Sequence, residues 1–350
     1  MSNVVTFRLP AKASQPQRQA LLLDSFATHR RGPDDVYWLK ENAEVLNVLE
    51  STGAQLAQGA LEPYRGVYEG IRERIRFFPQ YYRFLLSICL DLEDLGMPGQ
   101  TGAALCDWAA QLGLAQAELS DLQRAEAERL LARRGCATPD PALEARLRAF
   151  ISRSDTFALP NKKAAYELTH IVFYLSEYGR HDPKLCPDSI RSLQFAGLLA
   201  YLDQNADLLA EVCVALRFAG QTPSVIWEDW LRDCLSGFML TDAPEYGLND
   251  AYHEYLVTSW WAEFADAPAF PGDFAPGLIG FQRQNLLPGP LRAMSETMFS
   301  LGAARSGDWM RMRPHVADAL EEQAHGILSA AEQSSELFDA FFEGFARAGQ

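Results

Sequence analysis

The chain has 350 residues, 48% of them hydrophobic and 22% charged, which supplies a large folded core and argues against a disordered polymer. Its 46 acidic residues outnumber 31 basic ones, for a formal net charge of −15, and such a surface disfavours nonspecific attachment to a phosphate backbone or an anionic membrane. Neither nucleic acid nor a membrane is therefore an expected partner.

Residues 1–18 hold Pro10, Ser14 and Pro16 among small and polar side chains, and read as a mobile arm without the apolar core of a secretory signal. Residues 19–350 are expected to form one all-α domain, with a sub-boundary at the proline-bearing segment 137–142. No apolar run approaches the ~20 residues of a membrane span. The six cysteines are dispersed without a C-x-x-C pair, so the protein is expected to be soluble and cytoplasmic, with reduced core thiols.

A first helix is expected from near Arg18. Gly32-Pro33-Asp34-Asp35 makes a turn and sets carboxylates at the start of a helix over 36–61, whose Leu39, Ala43, Leu46 and Leu49 recur at intervals of three and four. The basic stretch Arg72 to Arg83 reads as a solvated helix face. An aromatic helix follows over 80–95, with Pro79 where a first-turn proline is tolerated. Its acidic end, Asp91 to Asp94, is expected to face solvent. Two helices separated near Gly113 lead to Gly135, and five more are placed at 161–178, 188–203, 205–219, 222–236 and 249–264. The Pro- and Gly-rich stretch 268–290 contains Phe270, Phe274, Ile279 and Phe281 and reads as a packed loop able to act as a lid. Helices at 292–303 and 316–347 close the chain, the last bearing the aromatic stripe Leu337, Phe338, Phe341, Phe342 and Phe345.

Four of these helices run into Gly96, Gly135, Gly179 and Gly220, about 40 residues apart, close to one helix pair of an α/α repeat. The expected architecture is six or seven helical hairpins forming an α/α toroid or a strongly curved solenoid. Aligning the repeats sets Tyr166 over Leu209 and Tyr252, and His170 over Cys213 and Leu256, with His253 one helical turn earlier. Thr169, His170, Phe173 and Tyr174, running on to Gly179, form a T-H-x-x-F-Y core ending in glycine. It resembles uncharacterised bacterial all-helical families, a resemblance that implies no activity.

The segment around His170 is the leading site candidate. On a helix Tyr166, His170, Phe173, Tyr174 and Glu177 share one face, bringing an imidazole, phenols and a carboxylate together. His170, Glu177 and His253 are candidate catalytic groups. Tyr166, His170, Tyr174, Glu177, Glu211, Tyr252 and His253 are candidate ligand-binding residues. Glu167 precedes His170 by three and Asp250 precedes His253 by three, the spacing of di-iron carboxylate bundles, so Glu167, His170, Asp250 and His253 are candidate metal ligands. Asp203, Asp207 and Glu211 recur at intervals of four. A turn at Asn205 assigns Asp207 to the start of the next helix, which leaves Glu211 as a buried carboxylate in need of a basic partner or a function. No sequence feature names a cofactor, and phosphate-loop, dinucleotide-fold and serine-elbow motifs are absent.

Two functions follow. The first expectation is a helical-repeat scaffold that binds a protein partner on its curved face or its C-terminal helix. The alternative is a central small-molecule or enzymatic pocket, metal-dependent or not, which requires His170 and His253 to converge.

Overall fold

Capping residues and glycines set the helix boundaries. The structure, a computed structural model, describes residues 13–137, 140–242, 250–283 and 287–348. Most of the expected arm, residues 1–12, and Thr138 and Pro139 of the expected sub-boundary lie outside the described residues. Among those described, 17 helices carry the fold: α1 Gln15–Asp24, α2 Val36–Ser51, α3 Arg65–Phe77, α4 Tyr82–Asp94, α5 Thr101–Gln111, α6 Asp121–Ala132, α7 Pro141–Ile151, α8 Ser154–Phe157, α9 Lys162–Leu175, α10 Pro187–Leu202, α11 Ala206–Phe218, α12 Val225–Ser236, α13 Tyr252–Phe264, α14 Leu291–Leu301, α15 Trp309–Ala317, α16 Glu322–Ser334 and α17 Phe338–Ala346. The fold is all-α apart from one short antiparallel ladder, β1 Met239–Thr241 with β2 Gly280–Gln282.

Local chemistry explains the starts. Asp35, Asn161 and Asn205 each accept a hydrogen bond from a backbone N–H in the first turn of α2, α9 and α11, satisfying donors that the helix leaves open. At the ends one pair of bonds recurs: Gly96 N–H to Glu93 and Met97 N–H to Leu92, Gly135 to Ala132 and Cys136 to Leu131, Gly220 to Arg217 and Gln221 to Leu216. This closure needs a left-handed residue, and Gly96, Gly135 and Gly220 all have positive φ.

Four expectations are corrected. The second helix stops at Ser51, because Gly53 (φ 65°) closes it in the same way. The helix over 161–178 stops at Leu175, where Glu177 (φ 47°) occupies the left-handed position and Tyr178 and Gly179 follow with positive φ. Glu177 therefore leaves the face of His170. The expected helix over 316–347 is three helices, interrupted at residues 318–321 and 335–337 without a glycine or proline to announce the breaks. The described part of the 268–290 loop is tied down: Ser25 Oγ accepts from Ile279 N–H, Asp250 accepts from Phe281 N–H, and Tyr255 donates to the Pro271 carbonyl. These bonds argue against a lid.

Six helices pack in a circuit, α2 on α4, α4 on α6, α6 on α9, α9 on α11, α11 on α13, and α13 back on α2. Between them in sequence run α3, α5, α7, α10 and α12, and α16 and α17 lie against α10. The aromatic stripe of α17 is core: Phe338, Phe341, Phe342 and Phe345 are buried, with Trp309 against Phe342 and Phe195 against Phe341. No helix of the described residues is long and apolar enough to cross a membrane.

Candidate functional site

Four consecutive helices of the circuit, α2, α13, α11 and α9, contribute to one polar cluster. Asp207 and Glu211 sit four residues apart on α11 and so project from one face. His253, in the first turn of α13, bridges its neighbours: Nδ1 lies 3.2 Å from Glu44 Oε2 on α2, and Nε2 lies 3.4 Å from Asp207 Oδ1. From α9, the Tyr166 hydroxyl donates to Asp207 Oδ2 at 2.8 Å and the Thr169 hydroxyl donates to Glu211 Oε2 at 2.5 Å. His170 Nδ1 lies 3.6 Å from the same Glu211 oxygen and 2.8 Å from the Tyr166 carbonyl. Ligand atoms of Asp207, Glu211 and His253 all fall within 4.8 Å of one another, the one such histidine–carboxylate group among the described residues.

Burial is graded. Glu211 forms the floor, its side chain 5% exposed, while both histidine side chains are 36% exposed. The floor is desolvated and the rim meets water. Burial raises Glu211 above the ordinary carboxylate range, His170 opposes that shift, and the charge on Asp207 adds to it. Asp207 is lowered, because His253 and the Tyr166 hydroxyl outweigh the effect of its burial. His253 is raised well above its ordinary value: burial alone would lower it, but the Asp207 and Glu44 carboxylates together prevail. Burial also pushes the Tyr252 phenol up, with Glu44 beside it. One feature is unsatisfied: Asp207 Oδ1 is buried and accepts no hydrogen bond.

The sequence candidates divide accordingly. Tyr166, His170, Glu211 and His253 meet directly, and Tyr252 joins them through Glu44. The Tyr174 ring stands edge-on to His170, 6.1 Å between centroids, and also lies 5.8 Å from the Arg129 guanidinium, whereas Glu177 belongs elsewhere, its Oε1 accepting from Arg129 at 2.9 Å. Glu167 faces Lys163 at 3.9 Å on the surface. Asp250 is held through two hydrogen bonds of 2.9 Å by Arg30, whose guanidinium also pairs with Glu41 and lies over the rings of Phe26, Tyr252 and Phe281. The side chains that could hold a metal ion are thus Asp207, Glu211 and His253, and of the sequence candidates Glu167, His170 and Asp250 are not in that group. Asp207 and Glu44 were not candidates. Asp207 carried a signal in its i, i+4 relation to Glu211, whereas Glu44 lies over 200 residues from His253 and looks like any acidic residue on an amphipathic helix.

A second polar cluster gathers at the C-terminal ends of α2, α4, α6 and α9, beside a cavity of about 550 Å³. Asp91 is fully buried there, contrary to its expected solvent exposure, because Arg133 reaches it at 2.6 Å while also pairing with Asp94 and Glu50. Arg134 pairs with Glu93 and Asp94. These pairs match each charge with its opposite, and describe a clasp between α2, α4 and α6.

One family model, described as Domain of unknown function (DUF6902), matches residues 1–348. No curated protein and no solved structure matches the chain.

Proposed function

The chain belongs to the DUF6902 family, and we propose that it binds a small molecule in a histidine–carboxylate pocket at the centre of an α/α toroid, with His170 as its proton-transferring group. The observation that carries this reading is the convergence of His170 and His253, 83 positions apart in the chain, on the neighbouring carboxylates Glu211 and Asp207. The closed circuit of six helices supports the toroid, since inner helices of such a ring direct their polar side chains to a common axis.

The two histidines are prepared differently. The Tyr166 carbonyl can only accept, so His170 Nδ1 is assigned a hydrogen and Nε2 is the nitrogen left to give or take the exchangeable proton. His253 faces a carboxylate from each nitrogen, which favours its imidazolium form as long as no ion is bound and links α2 to α11. Three carboxylates against one imidazolium leave the cluster negative. It suits a ligand with a positive group, oriented by Asp207 and Glu211 and exchanging a proton with His170. Of the two docking faces expected of a protein scaffold, the aromatic stripe of the C-terminal helix is buried and offers no surface to a partner.

A thermal-shift screen of amines, amino acids, carboxylates, sugars and nucleosides tests this reading in chelator-treated protein. Compounds that raise the unfolding midpoint of the wild type should lose their effect in His170→Ala and in His253→Ala, and keep it in Glu167→Gln. Shifts that survive both histidine substitutions, or a panel with no shift at all, would reject the pocket.

A further inference from the structure

We propose that Asp207, Glu211 and His253 bind one divalent first-row transition-metal ion, with Glu44 as the outer partner of the histidine; this inference rests on the pocket reading and specifies the occupant of the same site. Three independent features of geometry carry it. The donor atoms of the three side chains already lie within 4.8 Å of one another. Metal bonds of about 2.0–2.2 Å place adjacent ligand atoms roughly 3 Å apart. Closing on an ion therefore asks the three side chains to move inwards by about an ångström or two, within the reach of rotamer adjustment.

The second feature is the environment of His253. A metal-bound histidine almost always donates its other ring N–H to a carboxylate or carbonyl, which fixes the ring and its tautomer. Here Nδ1 lies 3.2 Å from Glu44 Oε2, so Nε2 is the nitrogen turned towards Asp207 and Glu211. The third feature is the unsatisfied oxygen. Asp207 Oδ2 is oriented by the Tyr166 hydroxyl, whereas Oδ1 is buried, makes no well-formed hydrogen bond and faces His253 Nε2 at 3.4 Å, so the two proposed ligand atoms look at each other across the site. Thr169 orients Glu211 in the same manner. Each proposed ligand has an outer partner that orients it: Tyr166 for Asp207, Thr169 for Glu211 and Glu44 for His253.

The donor set narrows the metal. Imidazole with carboxylates and no thiolate suits iron, manganese or zinc, whereas calcium and magnesium prefer all-oxygen sites. Three protein donors leave coordination positions open, and His170, 3.6 Å from Glu211, stands beside them. An amine or hydroxyl of a small molecule would fill these positions next to a histidine able to accept its proton.

The test uses the full chain, stripped with chelator and titrated separately with Fe²⁺ under anaerobic conditions, Mn²⁺ and Zn²⁺ by calorimetry, with elemental analysis after gel filtration. One ion per chain is expected. Asp207→Asn, Glu211→Gln and His253→Ala should each weaken binding at least about 100-fold, and Glu44→Gln about 10- to 100-fold, as outer-partner substitutions do. Glu167→Gln should leave binding unchanged. Cobalt(II) adds a spectroscopic readout, since its visible absorption should change in His253→Ala while circular dichroism stays that of the wild type. Binding that is absent for all three metals, or undiminished in folded Asp207→Asn, overturns the proposal. If metal fails while the small-molecule shifts in chelator still depend on His170, only the metal inference falls. If metal binds and no small molecule does, the pocket reading falls and a metal site remains.

Discussion

Glu211 shows how a single residue is caught between folding and use. Its floor position raises its affinity for a proton, so the ionised form is disfavoured in the native state. Stability tied to such a group is full below its unfolded value, near 4.5, and declines as pH rises towards the raised native value. Glu211→Gln keeps an oxygen for the Thr169 hydroxyl and removes the charge. In chelator it should therefore be more stable than wild type by about 1 kcal/mol at neutral pH, with the advantage vanishing near pH 4. Urea midpoints at pH 4, 6 and 8 check this, and a variant weaker than wild type throughout would refute it. The cysteines give a second contrast. Cys186 is exposed at the N-cap of α10, and the Ser189 hydroxyl and nearby backbone N–H groups lower its thiol, whereas burial pushes Cys106 up to about 12. Iodoacetamide at pH 7.5 should alkylate Cys186 first and reach Cys89, Cys106 and Cys213 only after unfolding, as peptide mass mapping would show.

Among the elements, the helix ends were the most legible and also the most deceptive. Glycine at the C-terminal position announced the ends of α4, α6 and α11, because only glycine adopts the left-handed turn without strain. Gly53 carries the same signal for α2, and the continuous apolar pattern beyond it masked that stop. At α9 the turn falls on Glu177, and Gly179 does other work: at φ 85° it lies so close to the end of α11 that an added Cβ would meet the Phe218 ring at 2.5 Å. Gly220 has φ 69° and open space around it. Gly220→Ala should thus cost about 1–2 kcal/mol, and Gly179→Ala a further 1–3 kcal/mol through the clash. Urea denaturation of both variants decides the matter, and equal losses would show that the Phe218 contact relaxes freely.

At the scale of the molecule, Arg30 joins parts of the chain that are far apart in sequence. Its guanidinium, with no side-chain exposure, holds Glu41 of α2, Asp250 before α13 and the Ile279 carbonyl before β2. Breaking one partner of a buried ion pair leaves the others uncompensated. Arg30→Ala should lower stability by about 3–5 kcal/mol, with the loss readable in the urea midpoint. A loss below 1 kcal/mol would mean that water replaces the guanidinium. Removal of α17 by truncation after Ser335 should likewise destroy the sharp unfolding transition, because it strips Phe341, Phe342 and Phe345 from the core. A truncated chain that unfolds as cooperatively as the full one would show that α17 is a detachable appendage.

The sequence by itself determined the helical class, most helix starts and the face that carries Tyr166 and His170, because caps, left-handed glycines and 3.6-residue periodicity are properties of neighbouring residues. It also singled out Glu211, whose charge sits inside an apolar helix. Only the tertiary structure decided what those groups meet. Asp250 and His253 are three residues apart, yet one is turned to Arg30 and the other to Asp207 and Glu44. Asp91, at an acidic helix end that reads as solvent-facing, is buried because Arg133 arrives from another helix. Charge pairing of this kind depends on distance in space, and periodicity along one helix carries no information about which side chain the neighbouring helix will present.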